Sequence, residues 1–167
     1  VINCAINPEI GHEYEYGSTF TPKVTKKVLI AGGGMAGMEA AITAADQGHK
    51  VILCEKKSRL GGALLCEEKV PFKEKLDQYI HLQRRLIERR HNIEVRLNTP
   101  VTPELAREIG PDVIIAALGA RPVKPSLPGI DLPHVFGAEE IYYHPEKAGD
   151  NVVLLGGGLV GLELSIY

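Results

Sequence analysis

Gly32-Gly33-Gly34-Met35-Ala36-Gly37-Met38-Glu39, entered from the aliphatic run Val28 to Ala31 and followed by an alanine-rich stretch to Gln47, decides the reading of this chain. In Gly32-x-Gly34-x-x-Gly37 the first glycine permits a tight turn, the second lets backbone approach a pyrophosphate, and the third lets a helix pack closely on a strand. A helix opening at Met35 aims free amides and the positive end of its dipole at that anion, so Gly34, Met35, Ala36 and Gly37 are candidate phosphate positions.

Gly48 supplies a left-handed stop for the helix, and Val51 to Cys54 reads as the next buried strand, ending on Glu55. Strand, glycine loop, helix, strand and terminal acid make one βαβ unit, with the right-handed crossover such units adopt. Glu55 is placed to accept hydrogen bonds from ribose hydroxyls, and its charge disfavours a 2'-phosphate; Lys56 adjoins it as a further candidate contact. The loop then recurs as Gly156-Gly157-Gly158-Leu159-Val160-Gly161-Leu162-Glu163, behind the apolar run Val152 to Leu155. Gly156, Gly158 and Gly161 are candidates for a second nucleotide, in a unit with no room to finish before Tyr167.

Between the two loops the pattern stays α/β. Phe72, Leu76, Tyr79, Ile80, Leu86 and Ile87 recur at helical spacing and predict an amphipathic helix to about Arg90. Ile93, Val95 and Leu97 alternate as in a half-exposed strand, Thr102-Pro103 caps a short helix ending at Gly110, and the continuous run Val113 to Leu118 predicts a central parallel strand. Pro122, Pro125, Pro128 and Pro133 stiffen a connection. Residues 1–25, broken by Pro8, Gly11, Gly17 and Pro22 but carrying Tyr14, Tyr16 and Phe20 as apolar anchors, predict an irregular arm; 26–150 form the first nucleotide domain and 151–167 the truncated start of a second.

At 167 residues, 44% hydrophobic and 24% charged, the chain can build a core, which argues against disorder. A net charge of -2 with interspersed signs lacks the basic surface that nucleic acids and membranes call for. No run approaches the about 18 apolar residues of a membrane span, and no signal core opens the chain, so a cytoplasmic address is expected. Cys4, Cys54 and Cys66 form an odd, scattered set, which points away from a disulfide framework.

Arg84, Arg85, Arg89 and Arg90 read as a solvated helix face, and Cys54, Met35 and Met38 as packing residues. His12, His49, His81, His91, His134 and His144 show no metal or triad spacing, so no catalytic acid is assigned.

The order glycine loop, Glu55, Gly61-Gly62, Ala116-Ala117-Leu118-Gly119-Ala120-Arg121-Pro122 and second glycine loop resembles the two-dinucleotide-binding flavoprotein disulfide-reductase fold, a Rossmann-like parallel sheet with flanking helices. Leu118-Gly119 stands where that fold usually has Ala-Thr-Gly. The resemblance implies FAD at the first loop, with Gly62, Ala117 and Gly119 lining it, and NAD(P)H at the second.

Cys4-Ala5-Ile6-Asn7-Pro8, with Gly11 and Glu13 ahead of the first loop, is similar to one junction in the iron-sulfur flavoenzymes related to 2,4-dienoyl-CoA reductase, 2-enoate reductase and trimethylamine dehydrogenase. That resemblance implies a parent with an Old Yellow Enzyme-type barrel before this segment and a C-terminal NAD(P)H domain after it. Electrons would pass from NAD(P)H through FAD, a [4Fe-4S] cluster and FMN to an activated C=C bond. Cys4 would be one cluster ligand in the parent only, since a cubane needs four.

Two other readings stay open: the electron-input subunit of a glutamate synthase type, and a non-catalytic module holding ADP or FAD. The truncated sheet also predicts that Val152 to Leu155 docks beside Val113 to Leu118, within the chain or by strand exchange in a homo-oligomer.

Overall fold

A computed structural model describes Cys4, Ile6, Asn7 and residues 9–16 and 23–167. Pro8, Gly17, Phe20, Pro22 and the ring of Tyr16, on which the reading of the arm leaned, lie outside the described residues. The arm contains one helical turn, α1 (Glu13–Tyr16). Tyr14 is 97% exposed, so it anchors nothing among the described residues.

Four strands, β1 (Lys27–Ala31), β2 (Lys50–Cys54), β3 (Ile93–Arg96) and β4 (Val113–Ala116), form one parallel sheet in the order β3-β2-β1-β4. Val28 sits opposite Val51 on one side and Val113 on the other, and Val51 opposite Ile93. Parallel neighbours need crossovers, which come from α2 (Met35–Asp46), α3 (Glu74–Glu88) and α4 (Pro103–Ile109).

Alanines let α2 lie close on the sheet: Met38, Ala41, Ile42, Ala44 and Ala45 pack with Val28, Ile30, Val51 and Leu53 in the main core. Gly48, at φ +85°, ends the helix as expected, its amide donating to Ala45 O and the His49 amide to Ala44 O. On the opposite face Leu29 and Cys54 meet Ile109 of α4. The Thr102 hydroxyl caps α4 by accepting from the Leu105 amide at 3.2 Å, and Gly110 ends it at φ +56°.

Three expectations change. β4 is an edge strand with Ile114 53% exposed, not a central one, because no described strand pairs on its far side. A 3-10 turn at Pro71–Lys73 precedes α3, so Phe72 lies outside the helix and is exposed; Ile80, Gln83 and Ile87 are the buried residues of α3. Val152 to Leu155 form no strand and enter no sheet among the described residues, and Val153 is 86% exposed, so the expected strand is not formed within the chain.

The chain divides into two units, residues 1–62 with 79–119 and residues 63–78 with 120–167. The second contains α5 (Ala138–Tyr143) and α6 (Leu159–Ile166) around Cys66, Val70 and Tyr142. Lys73 lies there between two carboxylates, Glu67 at 2.9 Å and Glu163 at 2.7 Å.

Candidate nucleotide-binding site

Each glycine of the first loop has its own reason. Gly32 continues the ladder by donating to Cys54 O at 2.8 Å and then turns at φ +110°, where a Cβ would stand 2.3 Å from the Ala117 carbonyl oxygen. A Cβ on Gly37 would stand 1.8 Å from Gly32 O, so only glycine lets α2 start this close to the turn. Gly33 is excluded from bearing a side chain by Leu60 Cδ2 at 2.4 Å and Glu55 Cβ at 2.9 Å.

Gly34 is different. Its φ of -76° suits any residue, and a Cβ there would meet only Gly62 Cα, at an ordinary 3.6 Å. Beyond a modest N-cap preference, nothing among the described residues requires glycine at this position. No side chain caps α2, whose first turn holds Met35, Ala36 and Gly37. The chain therefore presents a helix N-terminus beside a bare glycine surface, which fits a bound phosphate.

Glu55 is 5% exposed. Its Oε2 accepts from the Gly33 amide at 2.7 Å and its Oε1 from the Lys57 amide at 2.8 Å. A carboxylate has about four acceptor positions, so two bonds to backbone leave capacity for ribose hydroxyls. The Glu55 backbone is held as well, its amide donating to Arg96 O and its carbonyl accepting from Thr99. Lys56 is exposed beside it.

Gly61 and Gly62 adopt φ +131° and +65°. The Gly61 amide donates to Gly33 O at 2.8 Å, and a Cβ on Gly62 would be 2.7 Å from Gly34 Cα. The pair thus packs on the first loop and forms a second wall beside Gly34. Ala117 bridges to β1 through its amide, which donates to Ala31 O at 2.9 Å; Gly119, at φ +75°, is exposed with open space where a Cβ would be.

The second loop, described by itself, repeats the local geometry. Gly156 has φ +111°, Gly158 has φ -77°, and a Cβ on Gly161 would be 2.1 Å from Gly156 O. A Cβ on Gly158 would meet nothing within 4 Å. The turn forms here without a preceding strand, so it is encoded locally by its glycines.

Cys54 and Cys66 are buried, and Cys4 is exposed. Burial raises both buried thiols; Cys66, with the Glu67 and Glu139 carboxylates adding to the effect, is pushed up to about 11. Both are therefore protonated and unreactive at neutral pH. Among the described residues no group of three or more His, Cys, Asp or Glu could hold a metal ion.

Sequence reasoning gives Gly33, Leu60 and Arg84 no role in the site. The third glycine of the run was a signal, since the fingerprint uses only two of the three. Arg84 is not part of a solvated face: its Nε donates to Leu60 O at 3.1 Å and its Nη2 to the same oxygen. Arg90 likewise clamps Asp46, whereas Arg85 and Arg89 are exposed.

A parallel sheet with crossover helices, a glycine turn into a helix, and an acid at the end of the second strand define a dinucleotide-binding fold of the Rossmann type. Residues 26–167 match the pyridine nucleotide-disulphide oxidoreductase family, and the chain belongs to it. It is similar to the bilirubin reductase of Mediterraneibacter gnavus, 39% identical over 97% of this chain and 25% of that protein. It is also similar to the cinnamate reductase of Clostridium sporogenes, 38% identical over 99% of this chain and 24% of the relative. Among solved structures, a 2-naphthoyl-CoA reductase complex superposes with a TM-score of 0.90 and 32% identity, covering 98% of this chain and 25% of that one. The chain thus spans about a quarter of the length of these relatives. The resemblance to enoate-type reductases stands with them. Among the described residues no helix is long and apolar enough to cross a membrane.

Proposed function

We propose that residues 26–150 are the FAD- or ADP-binding part of an NAD(P)H-dependent flavin oxidoreductase acting on an activated C=C bond, and that 151–167 open its NAD(P)H-binding domain. The observation that carries this reading is Gly34, which no contact among the described residues requires to be bare and which lies beside a helix N-terminus without a side-chain cap. The reductase names of the relatives support the reaction class.

In this reading Gly32, Gly34, Met35, Ala36 and Gly37 hold the pyrophosphate, Glu55 and Lys56 the adenosine end, and Gly62, Ala117 and Gly119 line the run of the cofactor. Gly156, Gly158 and Gly161 take NAD(P)H. A flavin, when bound, supplies the hydride and electron chemistry; the chain supplies position and charge. Cys4 is one exposed cysteine, which does not fit a four-ligand cluster by itself, so no step is derived through a [4Fe-4S] group. The partners are nucleotide cofactors and further parts of a longer protein, including an FMN barrel, with cytoplasmic residence and strand-exchanged pairing as extensions of the same reading.

The test is an absorbance spectrum of the purified protein with mass analysis of the ligand released on denaturation. A flavin spectrum and FAD are expected; released ADP with no flavin absorbance moves the reading to a non-catalytic nucleotide module.

A further inference from the structure

The peptide joining Leu60 to Gly61 is held at both ends. Its carbonyl oxygen accepts two hydrogen bonds from the Arg84 guanidinium, and its N–H donates to Gly33 O at 2.8 Å. A trans peptide points these groups in opposite directions, so holding the oxygen on Arg84 turns the N–H onto the glycine loop. The restraint matters because glycine follows: Gly61 sits at φ +131° and tolerates either sign of φ, which makes rotation of this peptide plane cheap. A flipped plane would set Leu60 O against Gly33 O, two acceptors facing each other. It would also release Gly62 from Gly34, against which its backbone now rests.

We propose that Arg84 is a positioning residue for the nucleotide phosphates: by clamping the Leu60 carbonyl it locks the glycine pair as the second wall of the cradle at Gly34. This rests on the nucleotide reading given above. Arg84 suits the task, since a guanidinium offers several donors in a fixed plane and a charge-assisted hydrogen bond outlasts a neutral one. The helix carrying it is itself fixed to α2, because Gln83 donates to Glu39 Oε2 at 2.9 Å. The loop faces two ways: Gly33 contacts Glu55, at the ribose end, and Gly34 contacts Gly62. Loss of the clamp therefore acts on the phosphates more than on the adenosine.

The experiment compares ADP with AMP binding by calorimetry in the whole protein that carries this chain, cleared of bound nucleotide, as wild type, Arg84→Met, Arg84→Lys and Gly34→Val. Arg84→Met is expected to weaken ADP about tenfold and AMP less than about threefold, so the preference for ADP falls. Arg84→Lys, with one donor group in place of the two-pronged grip, is expected to lie between. Wild-type ADP affinity in Arg84→Met while Gly34→Val loses binding overturns the positioning role and leaves the nucleotide reading intact. Wild-type affinity in folded Gly34→Val overturns that reading itself. Equal losses for ADP and AMP reduce Arg84 to a general structural tie and also overturn the proposal. Should Arg84→Met not fold, Arg84→Lys decides: an ADP loss exceeding the AMP loss supports the clamp, and wild-type behaviour overturns it.

Discussion

The Gly33 amide donates a 2.7 Å hydrogen bond to the Glu55 carboxylate, joining the phosphate turn to the acid at the end of the neighbouring strand. The acid is therefore both a candidate ribose acceptor and a brace for the turn. Glu55→Ala is expected to lower nucleotide affinity by about 1.5–3 kcal/mol, the range for hydrogen bonds to a charged group. It should also lower the melting temperature, because the Gly33 amide loses its buried partner. Calorimetry and a thermal melt separate the two effects, and an unchanged value for both contradicts the dual role.

Gly37→Ala places a methyl carbon 1.8 Å from Gly32 O, and backbone must shift to admit it. Overpacking of this kind costs about 1–3 kcal/mol or more, read as a lower denaturation midpoint. Gly161→Ala makes the same local clash at 2.1 Å from Gly156 O. It should change global stability far less, since no residue of α6 is buried.

Leu53 is fully buried between α2 and the sheet, so Leu53→Ala is expected to cost about 2–5 kcal/mol by chemical denaturation. Thr102→Ala removes only the cap on α4 and should cost about 1 kcal/mol. A Thr102→Ala effect equal to that of Leu53→Ala contradicts this placement of the core.

The raised Cys66 thiol carries a sign. The folded state keeps its proton up to about 11, whereas an unfolded thiol loses it near about 8.5, so above that lower value the unfolded chain binds fewer protons. The contribution of Cys66 to stability is thus complete below about 8.5 and is lost as pH rises towards 11. Cys66→Ala should flatten that part of the stability profile. In native protein at pH 7–8, alkylation is expected at exposed Cys4 ahead of Cys54 and Cys66.

Local rules explain what the sequence made legible. Gly32 and Gly37 could be read because the turn and the helix start constrain residues a few positions apart, and the second loop takes the same shape without a strand before it. Gly48, Thr102 and Gly110 were legible for the same reason. Long-range contacts were not. Gly33 is bare because Leu60 and Glu55 press on it, and Arg84 reads as one more surface cation because its partner, the Leu60 carbonyl, lies far from it in sequence. Val152 to Leu155 has a strand's composition, but a strand exists only with a partner, and none pairs with it among the described residues.

Whether the first glycine loop holds a pyrophosphate is read from ADP and FAD binding by Gly34→Val against wild type. Gly34 has an ordinary φ and room for a Cβ, so Gly34→Ala should fold with a loss of no more than about 1 kcal/mol, and the branched valine then stands where the pyrophosphate would approach. Gly34→Val is expected to fold and to bind both ligands at least about tenfold more weakly. A folded variant that binds both ligands as tightly as wild type contradicts it.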